Sequence, residues 1–119
     1  PVSNILRGFG YGTDELPMAY ITGNDAYNSV CNLIAHDLAG MTVLKDTRKL
    51  SDACMKIIDA YAKGEEVTGL DSYRPSEDYS FELPTIFVEM FALDKDNMKE
   101  LVTDTGFYTY ESVYGDLAE

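Results

Sequence analysis

Short apolar runs suited to strands alternate along this chain with stretches whose apolar residues recur at helical spacing. That alternation restricts the possible architectures more than any other feature of the sequence. Val2, Ile5, Leu6 and Phe9 fall at i, i+3, i+4 and i+7, which predicts the end of a helix over 2–9, stopped by Gly10 and Gly12. The run after Pro17 predicts a buried strand over 18–22. Asp25 then begins a second helix as its N-cap, with Tyr27, Val30, Cys31, Ile34 and Leu38 facing inward and Gly40 ending it. A second strand is expected over 41–44. The clearest element follows it, capped by Asp46 or Thr47. Leu50, Cys54, Ile57, Ile58 and Tyr61 fall at i, i+4, i+7, i+8 and i+11, and Gly64 closes it.

The rest of the chain continues the pattern. Residues 65–82 are acidic and carry Gly, Pro and Ser, so they predict a loop, with room for a short strand near 79–82. Pro84 to Leu93 is rich in β-branched and aromatic residues and predicts a strand. Asp94 caps a last main helix reaching about 104, with Met98, Leu101 and Val102 inward, and Thr109 can cap one more turn. Helices and strands in this order imply an α/β fold with a mostly parallel sheet covered by helices.

Charge narrows the function classes. The formal net charge is −12, and the sequence pI is about 4.2. Such a surface repels phosphate, and no Lys/Arg cluster offsets it, which argues against a nucleic-acid role and against an anionic membrane surface. His36 is the only histidine, so a His-rich metal site is impossible, and no metal or cofactor is expected. It sits on the polar side of its helix with no nucleophile motif nearby. Asp94-Lys95-Asp96-Asn97 resembles half a calcium loop but lacks the Gly and terminal Glu that an EF-hand needs. Cys31 and Cys54 lie 23 residues apart without a CxxC. Each falls on an expected apolar helix face, which favours buried free thiols over a disulfide. Phosphate-binding Gly loops, a Gly-x-Ser-x-Gly elbow and a His–carboxylate–nucleophile set are all missing, so no catalytic residue is assigned and no enzyme is expected.

Sheets of this kind bind ligands beyond the carboxyl ends of their strands. The positions after Ile21 and after Leu44 supply Thr22-Gly23-Asn24-Asp25 and Lys45-Asp46-Thr47. A carboxylate accepts hydrogen bonds from adjacent sugar hydroxyls and an ammonium donates to their neighbours. By spacing alone the signal is weak, and Asp25 reads first as a helix cap and Lys45 as a surface charge.

These segments resemble the paired motifs of periplasmic binding proteins for xylose and related monosaccharides. There, a Thr/Ser-Gly-Gln-Asp-Ala segment is followed, twenty residues after its Asp, by the Lys of a Thr-Val-Tyr-Lys or Thr-Ile-Phe-Lys strand. Thr22-Gly23-Asn24-Asp25-Ala26 and Thr42-Val43-Leu44-Lys45 keep that interval. Leu6 to Thr13, Pro84 to Asn97 and Thr105 to Thr109 match the flanking helix end, crossing strand and tail. Asn24 replaces the usual Gln, and Glu89-Met90 stands where Thr-Pro is common, which leaves the identity of the sugar open.

The resemblance implies that residues 1–119 form the C-terminal segment of a two-lobed, type I periplasmic binding protein with Rossmann-like sheets, contributing to both lobes. It implies a monosaccharide receptor of a bacterial ABC importer, with Asp25 and Lys45 as ligand contacts, membrane permease subunits as partners, and a periplasmic or lipid-anchored extracytoplasmic location. The alternative is a ligand-sensing regulatory domain of the same fold, in a transcriptional repressor or a chemosensor. The start at Pro1, without Met or leader, suggests a cut chain. Without its partner lobe such a chain is expected to self-associate and to bind sugar weakly or not at all. Phe107, Tyr108, Tyr110 and Tyr114 are expected to pack within the fold instead of stacking on a ligand.

Overall fold

A computed structural model describes residues 2–73, 82–115 and 117. The chain divides into two compact units, one formed by residues 1–45 with 90–119 and the other by residues 46–89.

The first unit is built around a strand pair. Strand β1 (Thr42–Lys45) runs antiparallel to β4 (Met90–Leu93), with Thr42 opposite Leu93 and Lys45 opposite Met90. On its other side β1 is approached in parallel by the segment expected as a strand over 18–22. That segment makes only one bridge, Thr22 to Met41. Gly23 N–H donates to Met41 O at 2.8 Å and Gly40 N–H to Ile21 O at 2.8 Å. The expected parallel pairing is thus present but short, and the only ladders among the described residues are two antiparallel pairs. A strand is maintained by a continuous ladder, and one bridge does not supply it.

Helix α2 (Asn28–Ala35) covers this pair and packs on α4 (Tyr110–Tyr114). Asn28 Nδ2 donates to Ser112 Oγ and Asn32 Nδ2 to Val113 O, both at 2.9 Å. Cys31, Ile34, Leu44, Leu93, Met98, Val102 and Val113 form the buried core. Fully burying an aliphatic side chain of this size stabilises by about 1.5–3 kcal/mol. Met98 and Val102 face inward as expected, but Lys99–Thr103 forms a single π-helical turn, closed by Asp104 N–H donating to Lys99 O. Asp94 Oδ1 accepts from the Asp96 and Asn97 amides, and Thr109 caps α4 by accepting from Ser112 N–H. The tail aromatics pack among themselves. Phe107 meets Tyr108 edge to face at 4.8 Å, and Tyr110 stacks on Tyr114 at 4.5 Å.

Several expectations need correction. Helix α2 does not start at Asp25 or run to Gly40. Its N-cap is Tyr27, without a side-chain capping bond, and it ends at His36. Asp25 and Ala26 both have positive φ, 70° and 46°, and a helix N-cap needs a β-region backbone. Helix α1 (Val2–Gly8) forms, but most of the apolar stripe that marked it is exposed. Val2, Ile5 and Phe9 are 59, 62 and 75% exposed, and Ser3 is buried instead. A period of 3.6 residues identifies an apolar stripe; whether the stripe is covered depends on what packs against it.

The second unit holds α3 (Thr47–Lys63), β2 (Asp71–Tyr73) and β3 (Leu83–Thr85), the two strands antiparallel. Both ends of α3 follow the sequence signals: Asp46 caps it and Gly64 ends it in the left-handed conformation, φ 70°. None of its residues is buried, and Cys54, expected inside, is exposed, whereas Cys31 is buried. Both thiols are free, and burial pushes the Cys31 pKa up to about 11. The single strand expected from Pro84 to Leu93 is two strands, β3 and β4, with different partners. Composition marks residues as strand-like without showing where the partner changes. The expected loop contains β2, and residues 79–81 of the strand anticipated near 79–82 lie outside the described residues.

Candidate functional site

The two candidate ligand residues come together at one end of β1. Lys45 is the last residue of that strand, and its Nζ donates to Asp25 Oδ1 at 2.6 Å. The side chains are 46 and 45% exposed, so both remain open to a ligand. An exposed pair of this kind adds about 0–1 kcal/mol to stability. The backbone that presents Asp25 costs more. Two successive non-glycine residues in the left-handed region cost on the order of 1–3 kcal/mol each. The ion pair therefore does not account for the turn, and strain kept in this way is characteristic of functional sites.

The turn is fixed from below. Ala26 is fully buried, and its N–H donates to the hydroxyl of buried Thr42 at 3.3 Å. Its carbonyl accepts from the Cys31 thiol at 3.6 Å, within sulfur hydrogen-bond range. Gly23 suits this close approach: a Cβ there would stand 3.3 Å from both Thr42 Oγ1 and Val30 Cγ1, and those side chains would have to give by a few tenths of an ångström. Thr42 was not singled out in the sequence. The available signal was its place on β1, where alternation sends Thr42 inward with Leu44, and a buried hydroxyl needs a partner.

Next along the chain, Asp46 is buried and engages Arg48 at three points. Oδ1 accepts from Arg48 N–H at 3.0 Å and from Nε at 2.9 Å, and Oδ2 accepts from Nη2 at 2.8 Å. The Arg48 side chain holds the Asp46 carboxyl below its ordinary value of 3.8. A folded-state pKa below the unfolded one adds stability that is fully present above the unfolded value. That stability is lost as pH falls through the folded value. The stability advantage of the parent over Asp46→Asn is therefore expected to persist at neutral pH and to shrink below about pH 4. Urea denaturation followed at 222 nm measures it. An advantage that grows on acidification would contradict the assignment.

Among the described residues no group of three or more His, Cys, Asp or Glu side chains is placed to hold a metal. No helix among them is long and apolar enough to cross a membrane. Paired opposite charges beside a Gly-containing turn at a strand end can exchange hydrogen bonds with neighbouring hydroxyls, the role that the resemblance to sugar-binding proteins implies for them.

Known proteins bear out that kinship. The chain is 30% identical over 105 residues to the multiple sugar-binding periplasmic protein SbpA of Azospirillum brasilense. It is also 30% identical over 106 residues to the multiple sugar-binding periplasmic receptor ChvE of Rhizobium radiobacter. Each match covers 87% of this chain and 29% of the relative, so the chain spans less than a third of their length. An ABC transporter solute-binding protein from Clostridium phytofermentans, solved with bound β-D-glucose, superposes with a TM-score of 0.75 at 26% identity. That superposition covers 94% of this chain and 33% of that structure. The chain matches no family model. It is a relative of the periplasmic sugar-binding proteins and carries part of the solute-binding-protein fold. These relatives are named as binding proteins and receptors.

Proposed function

We propose that this chain serves in a monosaccharide receptor of an ABC importer, working outside the cytoplasm and delivering its sugar to membrane permease subunits. Asp25 accepts and Lys45 donates hydrogen bonds to neighbouring hydroxyls of the sugar. The observation that carries this reading is the 2.6 Å contact between Lys45 Nζ and Asp25 Oδ1, made across twenty residues at the end of β1. Three polar functions stay available there: the second carboxylate oxygen and two further ammonium N–H bonds. That set suits a diol, with one hydroxyl donating and the next accepting. Kinship with proteins named for sugar binding, and with a structure holding glucose, supports the receptor over a regulatory domain.

The division at Lys45/Asp46 and Glu89/Met90 supports a second element of the reading. Residues 1–45 and 90–119 belong to one lobe of the receptor and residues 46–89 to the other. Function then consists of binding and lobe closure, with no bond made or broken. Calorimetric titration of the two-lobed receptor tests this. Binding of D-glucose or D-xylose is expected, with glucose 6-phosphate rejected by a protein this acidic. Binding of the phosphate ester in preference to both neutral sugars would overturn the reading.

A further inference from the structure

We propose that Thr42 is the positioning residue for Asp25, holding the strained turn that presents its carboxylate; this rests on the sugar-contact reading of Asp25. The strand that carries the ammonium donor also fixes the acceptor. Lys45 stands at the exposed end of β1, and three residues earlier Thr42 is fully buried on the same strand. Its Oγ1 accepts the Ala26 N–H at 3.3 Å, across sixteen residues of sequence. The same hydroxyl lies 3.3 Å from where a Cβ on residue 23 would stand, so it borders both ends of the Gly23–Ala26 segment. On the other face of residue 26, the Cys31 thiol donates to the Ala26 carbonyl at 3.6 Å. Burial keeps that thiol protonated at neutral pH, so it stays a donor.

Both polar groups of Ala26 are thus held by buried side chains on two elements, β1 and α2. The left-handed backbone at 25 and 26 persists because the surrounding structure over-determines it. With the hydroxyl gone, the buried Ala26 N–H loses its acceptor, and the turn has reason to relax toward ordinary φ values. Asp25 Oδ1 would then leave its place beside Lys45 Nζ.

Two variants separate positioning from general stability. Thr42→Val keeps the shape and removes the acceptor, and Thr42→Ser keeps the acceptor. In Thr42→Val, amide hydrogen exchange at Ala26 is expected to accelerate by about tenfold, with parent-like exchange in Thr42→Ser. In the two-lobed receptor, D-glucose affinity is expected to fall by about tenfold in Thr42→Val and to return in Thr42→Ser. On an Asp25→Ala background, Thr42→Val is expected to add no further loss. Unchanged Ala26 exchange in Thr42→Val would overturn the proposal. So would an equal loss of affinity with and without Asp25, since Thr42 would then act by another route. If Asp25→Ala itself leaves glucose affinity intact, the sugar-contact reading fails, and Ala26 exchange still decides whether Thr42 holds the turn.

Discussion

Asp25→Ala is expected to weaken monosaccharide binding by about 2–5 kcal/mol, a loss of roughly 30- to 5,000-fold. The magnitude comes from what is left behind. Truncation removes both carboxylate acceptors, so sugar hydroxyls that donate to them enter the site unpaired, and Lys45 keeps its charge without its partner. Stability is expected to respond far less, because an ion pair with both members nearly half exposed contributes about 0–1 kcal/mol. That contrast is diagnostic. Asp25→Asn refines it, since asparagine tolerates a left-handed backbone and keeps one acceptor. Its loss of affinity is expected to fall between parent and alanine. Titration calorimetry reads all three proteins, and an Asp25→Ala affinity equal to the parent's would remove Asp25 from the site.

The second large effect concerns residues 1–119 expressed alone. They are expected to self-associate and to bind D-glucose weakly or not at all. The apolar stripe of α1 lies open along Val2, Ile5 and Phe9, and Leu50, Met55, Ile58 and Tyr61 are exposed on α3. Apolar side chains left exposed along a helix in this way offer a face for association. The segment ending at Thr22 adds an incentive, since it bonds to β1 on one side only and extended backbone seeks a partner. Sedimentation velocity across a concentration series is expected to show species larger than the 13.3 kDa monomer. A clean monomer that also binds glucose tightly would contradict both halves of this expectation.

What the sequence disclosed and what it withheld divide along a physical line. Local signals were reliable where the outcome is itself local. Asp46 caps α3 and Gly64 ends it, because a side-chain acceptor and a left-handed glycine act within one turn of the helix. Thr109 behaves likewise at α4. The inward residues Cys31, Ile34, Met98 and Val102 were legible because their partners, β1, β4 and α4, lie in the same unit. The apolar stripes of α1 and α3 were legible, but periodicity is silent on what covers a stripe, and Cys54 was misread as buried for that reason. Asp25 shows the other limit. An acidic residue just ahead of a helical pattern reads as a cap. The left-handed turn at 25 and 26 is imposed by a threonine sixteen residues beyond Ala26, which no local rule registers. The pairing of Asp25 with Lys45 came from family likeness, since their spacing taken alone favoured a cap and a surface charge.

The central claim is that one carboxylate and one ammonium at the end of β1 grip adjacent hydroxyls of a neutral sugar. A crystal structure of the two-lobed receptor grown with D-glucose tests it most directly. The account predicts an Asp25 oxygen and Lys45 Nζ each about 2.6–3.2 Å from hydroxyls on neighbouring carbons of the ring. Glucose bound elsewhere, with the Asp25–Lys45 contact untouched, would contradict it.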